Sequence, residues 1–463
     1  MRRMVALVVV AVLAVVASTA VRPGEPSGPD FGTDTTLDAG DAVGRTSAWY
    51  CPWVDAGAVR DSVIGLASEV PVEALVSLPS PFPNEAPDTL PLTLRALDAV
   101  DLDIGSVVRR GESPAIVEFD DGPAAAGAVV WSDAVVTGDR CVTSVPKQWH
   151  LTGGSTATGL FVELRLFNPF AELAKVDITA LSEFGSEPLP EYEGFDVAGR
   201  SWATIDLTTT LPLRDVLSVL VSTSQGLVIP SLVLAGDTDE ASWPGSGPAT
   251  TWEFPVTAAG ELVPYLTISN ADDSPVSVVI DVYGPDGSIE EATTVEVQAS
   301  TPIRIPLAEI AAPPFGVRLR SGGPVAATVE ALPPVVDEES VPPEDEEGGE
   351  VRPPIEGVAG TVGVRSPAER WLVPATGSLE DSVATIWVLN TGSTSATVAV
   401  EPLGPTGLEP DKVVVEAGTV VAVDVESGDD IEGYRVVGSA PVSVAVSIVD
   451  ARGVAFLSAV PVR

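Results

Sequence analysis

The sequence predicts an all-β protein built of tandem two-sheet modules, and three observations carry that expectation. Its apolar content is dominated by valine, which is stiff at χ1 and suits pleated strands better than helices. Glycine and proline, 42 of each, punctuate the chain at short intervals. A pattern of tryptophan, asparagine and glycine recurs roughly every 100 residues. With 463 residues, 45% of them hydrophobic, the chain has the length for roughly three or four domains and the apolar surface to give each a core.

At the N-terminus Arg2 and Arg3 precede an uncharged run from Met4, closed by Ser18-Thr19-Ala20 before Pro23 and Gly24. That is the layout of a secretory signal. Counted to Val21 the run is 18 residues, near the lower limit for spanning a bilayer, so residues 1–21 are a signal peptide or a signal anchor. Either way the remainder is expected outside the membrane, secreted or anchored there. Residues 22–45, rich in Gly, Pro, Asp and Thr, read as a flexible spacer.

The two cysteines, Cys51 and Cys141, are expected to form a disulfide, as a lone pair in an exported chain usually does. A bridge closing 90 residues restrains the unfolded chain by on the order of 4 kcal/mol.

The recurrence is clearest from Trp149, Trp252 and Trp371. Each leads to a strand ending in Asn168, Asn270 or Asn390, at separations of 19, 18 and 19 residues, and each Asn is followed 17 residues on by a turn glycine, Gly185, Gly287 or Gly407. An alternating strand follows in each unit, at 203–207, 303–307 and 421–425, then two Val-rich runs joined at Ser224-Gln225-Gly226, Ser321-Gly322-Gly323 or Gly438-Ser439-Ala440, read as closing hairpins. Val276, Val278, Ile280 and Val282 alternate with more polar residues, as do Val442, Val444, Val446 and Ile448, so one face of each strand is buried.

A unit of this length, with short strands and no amphipathic helix, fits an immunoglobulin-like β-sandwich; a β-propeller-like assembly of the repeats is the alternative. The expected modules span 46–145 (diverged, opening at Trp49), 146–245, 246–334 and 368–463. An acidic, proline-rich linker is expected over 335–367, where Asp337 to Glu350 repel one another among prolines.

Charge narrows the partners. Lys and Arg number 24 against 66 Asp and Glu, a formal charge of -42, so nucleic acid is disfavoured and an unknown envelope protein or glycan is the expected partner.

Little points to catalysis. His150 is the only histidine, which leaves no multi-histidine metal site, and its place after Trp149 suggests a surface or packing role. Ser144 and Lys147 have the spacing of an acyl-serine pair, but Pro146 opposes the helix that pairing needs. Gly153-Gly154-Ser155-Thr156 reads as a strand-entry turn, since no helix follows to cradle a phosphate. Catalytic, cofactor and metal residues are therefore assigned to none. Calcium is the one ion to consider, at Asp237-Thr238-Asp239-Glu240, Asp272-Asp273 or Asp429-Asp430; none has calcium-loop spacing, and solvated turns are the simpler reading.

The stretches Trp149-His150-Leu151-Thr152-Gly153-Gly154-Ser155-Thr156 and Leu164-Arg165-Leu166-Phe167-Asn168-Pro169 resemble an actinobacterial family of exported proteins known only as a domain of unknown function. Asn270 precedes Ala271 and Asn390 precedes Thr391, so the later modules depart from its Asn-Pro strand end. The resemblance implies an envelope location in a high-GC Gram-positive bacterium and no activity. The expected role is a non-catalytic spacer, scaffold or interaction surface. A cell-wall or carbohydrate-binding accessory is the alternative, and a carboxylate-pair hydrolase the last resort; buried opening tryptophans would remove the best sugar platforms.

Overall fold

Strands that alternate valine with polar residues bury one face each, and here they do so four times over in the same order. The computed structural model describes residues 47–462 except 53, 55–59, 81–84, 108–110, 112, 121, 133–134, 237–238, 259–261, 334–356, 375–381, 405–407, 426–430 and 451. The signal or anchor segment, the spacer and most of the acidic linker lie outside the described residues.

The first module holds β1 (Ser47–Cys51), β2 (Asp61–Ser68), β3 (Val72–Leu78), β4 (Asp88–Leu94), β5 (Asp98–Asp103), β6 (Ala115–Phe119), β7 (Ala124–Trp131) and β8 (Val136–Arg140). The second holds β9 (Gln148–Thr152), β10 (Phe161–Asn168), β11 (Ala174–Ser182), β12 (Gly185–Pro188), β13 (Phe195–Val197), β14 (Ser201–Asp206), β15 (Leu217–Gln225), β16 (Ile229–Ala235) and β17 (Glu240–Pro244). In the third are β18 (Ala249–Phe254), β19 (Val263–Asn270), β20 (Val276–Gly284), β21 (Gly287–Val297), β22 (Thr301–Pro306), β23 (Gly316–Leu332) and β24 (Ala359–Val362). The fourth comprises β25 (Ala368–Pro374), β26 (Val383–Asn390), β27 (Ala396–Pro402), β28 (Asp411–Val415), β29 (Thr419–Val425), β30 (Gly433–Asp450), β31 (Gly453–Ser458) and β32 (Val460–Pro461).

Every module is a two-sheet sandwich with one topology. Its outer sheet runs β4-β3-β6-β1, β12-β11-β15-β9, β21-β20-β23-β18 or β28-β27-β30-β25, and its inner sheet β5-β2-β7-β8, β14-β10-β16-β17, β22-β19-β23-β24 or β29-β26-β30-β31. The all-β sandwich expectation holds. The connectivity, however, is not that of an immunoglobulin domain: the opening strand lies beside the sixth and the second beside the seventh, where immunoglobulin sandwiches place the sixth and seventh together.

Three further expectations are corrected. The Gly- and Ser-marked runs are not closing hairpins. β23 and β30 pass straight through Ser321-Gly322-Gly323 and Gly438-Ser439-Ala440, pairing first in the outer sheet and then in the inner one. Small residues let a strand bend between sheets, which is the corner of a sandwich. The linker expected over 335–367 ends earlier than the composition suggested, because β24 pairs with β23 and buries Ala359 and Val362 in the third module's core.

Nor are the modules separate beads, since the described residues form one compact unit. The last strands of the inner sheets close a ring, β8 lying against β17 and β31, and β24 against the same two. Strands β17, β24 and β31 are accordingly buried on both faces. Leu372, Leu403, Val460 and Val462 of the fourth module join the core of the first, so the end of the chain returns to its beginning.

Candidate functional site

The repeat-marking residues prove to be the fold's internal fasteners. Trp149, Trp252 and Trp371 are buried, and their indole N–H groups donate to the carbonyls of Val228, Val325 and Val442 at 2.9, 2.8 and 3.0 Å, one equivalent bond per module. Trp49 is buried as well, but its N–H has no partner among the described residues.

The three asparagines are equally uniform. Asn168, Asn270 and Asn390 donate from Nδ2 to the carbonyl four residues on, at 2.7, 2.8 and 2.9 Å, and to Val197, Val297 or Val415 across the sandwich. Each Oδ1 accepts the N–H two residues on, from Phe170, Asp272 or Gly392. Gly185 and Gly287 sit at positive φ, 103° and 144°, where the third strand turns into the fourth. Gly407 lies outside the described residues.

Cys51 and Cys141 are joined, tying the end of β1 to the chain leaving β8. A cavity of about 20 Å³ beside them, lined by Arg140, Ser231, Ser242 and Trp243, has room for one water rather than a substrate.

His150 is buried and burial, aided by the nearby Arg365 charge, pushes its pKa down to about 4; its backbone pairs with Ser246. It is a packed, neutral side chain. Ser144 and Lys147 lie in the extended connection from β8 to β9, which lacks the helical turn that an acyl-serine pair requires.

Sequence reasoning missed the residues that join the modules. One glutamate stands at each junction. Between modules one and two, Arg60 donates to both oxygens of Glu240 at 2.7 and 2.9 Å. Between two and three, fully buried Glu330 accepts the Gly154 N–H at 2.7 Å, the Thr267 hydroxyl and Arg304, whose guanidinium also reaches the carbonyls of Gly154 and Asp215. Between three and four, Glu253 accepts the hydroxyls of Thr391 and Ser443 at 2.8 and 2.5 Å. Glu69 closes the ring by accepting Arg370 and Arg435 at 2.7 and 2.8 Å.

At the centre lies Asp239. Its carboxylate accepts the N–H groups of Val136 at 3.3 Å, Glu240 at 2.8 Å and Val358 at 3.1 Å, and that of Val454 as well, one from each of the four modules. Burial pushes its pKa up to about 8, against the pull of those donors. Oxygens so engaged face donors, the reverse of what a calcium ion offers.

Of the other calcium candidates, Asp272 belongs to the turn capped by Asn270, while Asp237 and Asp429-Asp430 lie outside the described residues. Among the described residues no group of three or more His, Cys, Asp or Glu side chains is placed to hold a metal ion. Nor is any described helix long and apolar enough to cross a membrane.

These features define a ring of four fused β-sandwiches fastened by buried carboxylates. The chain matches a family of unknown function, DUF5719, over residues 106–242 and again over 241–461, and it belongs to that family. No curated protein matches it. Among solved structures, one of a glycoside hydrolase family 32 protein from Bifidobacterium adolescentis aligns over 89% of this chain and 95% of its own, at 9% identity and a TM-score of 0.15, too slight a likeness to bear on fold or reaction.

Proposed function

We propose that this chain is a non-catalytic protein of the cell envelope whose fused modules hold a fixed surface toward a partner. One observation carries the reading: the buried carboxylates that could do acid–base work at the junctions are each engaged by donors of the chain itself, Asp239 by all four modules. Return of the fourth module onto the first favours a compact platform over an extended spacer. The disulfide and the apolar segment at residues 1–21 support export, and the resemblance to exported actinobacterial proteins supports the envelope. Burial of all four opening tryptophans takes away the sugar platforms that a carbohydrate-binding role would have used.

The test is fractionation of cells producing the full chain, followed by capture from envelope extracts with residues 46–463 as bait. Expected are an envelope location, oxidised cysteines and a discrete bound partner. A cytoplasmic, reduced chain, or envelope-glycan hydrolysis abolished by a single carboxylate substitution, would overturn the proposal.

A further inference from the structure

Module two displays two large apolar side chains that its core does not use. Phe184, at the tip of the β11–β12 hairpin, is 74% exposed, and Leu213 is 68% exposed. Leu213 also holds a left-handed backbone, φ 60°, which costs a residue with a Cβ about 1 kcal/mol or more.

A clasp enforces that conformation. The Leu213 N–H donates to the Thr156 carbonyl at 3.1 Å and the Thr156 N–H to the Arg214 carbonyl at 3.0 Å. The Arg214 N–H donates to the Thr156 hydroxyl at 2.9 Å, and the Ser155 hydroxyl to the Arg214 carbonyl at 3.0 Å. The Gly153-Gly154-Ser155-Thr156 motif is therefore the clasp, and Gly154 anchors it to Glu330 of the third module.

The guanidinium of Arg214 lies 5.3 Å from the centre of the Phe184 ring, held by Glu187 at 2.7 and 2.5 Å and by the Pro212 carbonyl. A loop that accepts backbone strain to point leucine outward, beside an aromatic ring, is built for display.

Its charge indicates the occupant. Glu187 neutralises Arg214, Arg304 is paired with Glu330, and the carboxylates of Glu183 and Asp215 remain without a cation in this group. We infer that Phe184, Leu213 and these carboxylates form a docking surface for a cationic protein segment carrying an apolar anchor. Aromatic anchors ringed by complementary charge are the usual centres of such interfaces. An anionic lipid surface would be repelled, and Arg214 already covers one face of the ring that a sugar would stack on. The inference rests on the interaction role proposed above.

The probe is a synthetic peptide of alternating lysine and leucine, titrated against the full chain, a Phe184→Ser/Leu213→Ser variant and a Val383→Ser control that alters an exposed residue of module four. Both altered proteins should melt like the parent, since the changed side chains lie outside the core. Expected is binding at least tenfold weaker in the double variant and unchanged in the control. Equal loss in both, no loss in either, or binding of anionic vesicles or peptidoglycan through this pair in place of the peptide would overturn the assignment. If the double variant binds the peptide normally while the chain still captures an envelope partner, only the docking assignment falls. Glycan hydrolysis would remove the interaction role whatever the peptide does.

Discussion

A carboxylate buried where four modules meet costs several kcal/mol unless donors replace its water, and Asp239 obtains one backbone donor from each module. Truncation to Ala leaves those N–H groups unpaired, so Asp239→Ala is expected to lose about 3 kcal/mol or more. The site it vacates is shaped for a small carboxylate, and formate should raise the melting temperature of Asp239→Ala while leaving the parent unchanged; no rescue would mean that the donors do not define an anion site. Gly453 is the reason the carboxylate fits, because a Cβ there would stand 2.4 Å from Oδ2.

The pH dependence follows from the direction of the shift. A folded pKa raised to about 8 from 3.8 means that the native state keeps the proton longer than the unfolded chain. Its stability contribution is full below pH 4 and is lost as pH rises through 8. His150 works the other way: lowered to about 4 from 6.5, it contributes stability above pH 6.5 that is lost as pH falls toward 4. The two slopes oppose each other at acidic pH and leave Asp239 to dominate from 6.5 to 8. Chemical denaturation should show stability falling across that interval in the parent and not in Asp239→Asn.

At the scale of the strand, the asparagine ending the second strand of modules two to four spans the following turn and locks it to the opposite sheet. Asn270→Ala is expected to cost about 2–3 kcal/mol, roughly one per lost bond. Asn270→Asp, though isosteric, should cost at least as much, because a carboxylate oxygen would face the carbonyls of Ser274, Val297 and Gln298. A denaturant midpoint unchanged in either variant would demote this asparagine to a mere spacer.

This layer of the fold was legible in sequence because it is local: the tryptophan, the asparagine and the turn glycine each act within one module, so their separations are conserved by geometry. Module one follows the same rule with a different residue. Ser68, 19 residues after Trp49, hydrogen-bonds the Val70 carbonyl at 2.7 Å and accepts the Val70 N–H. The spacing was there to be read, but a hydroxyl stood in for the amide. The sheet-to-sheet corners were misread for a related reason, since Gly and Ser permit a bend and a hairpin alike and composition does not separate them.

For the whole molecule, ring closure was the feature least visible in the sequence, because the groups that achieve it are far apart in the chain and each is ordinary in its own neighbourhood. Glu69 and Arg435 are 366 residues apart, and Asp239 sits in what reads as an acidic turn. The available signal was indirect: β7, Ala-Ala-Ala-Gly-Ala-Val-Val-Trp, does not alternate, as expected of a strand buried on both faces. Closure makes the modules interdependent, and this can be measured. If each sandwich stood alone, calorimetry would give several transitions and a van't Hoff enthalpy well below the calorimetric one. A ring sharing cores at its junctions should instead unfold in one transition with the two enthalpies equal. Reducing Cys51–Cys141 sharpens the distinction. The bridge restrains only 90 residues of the first module, contributing on the order of 4 kcal/mol. In a set of independent modules its reduction would split off an early transition and leave the rest in place. In a closed ring the loss is shared, so the entire transition should move to lower temperature as a single peak.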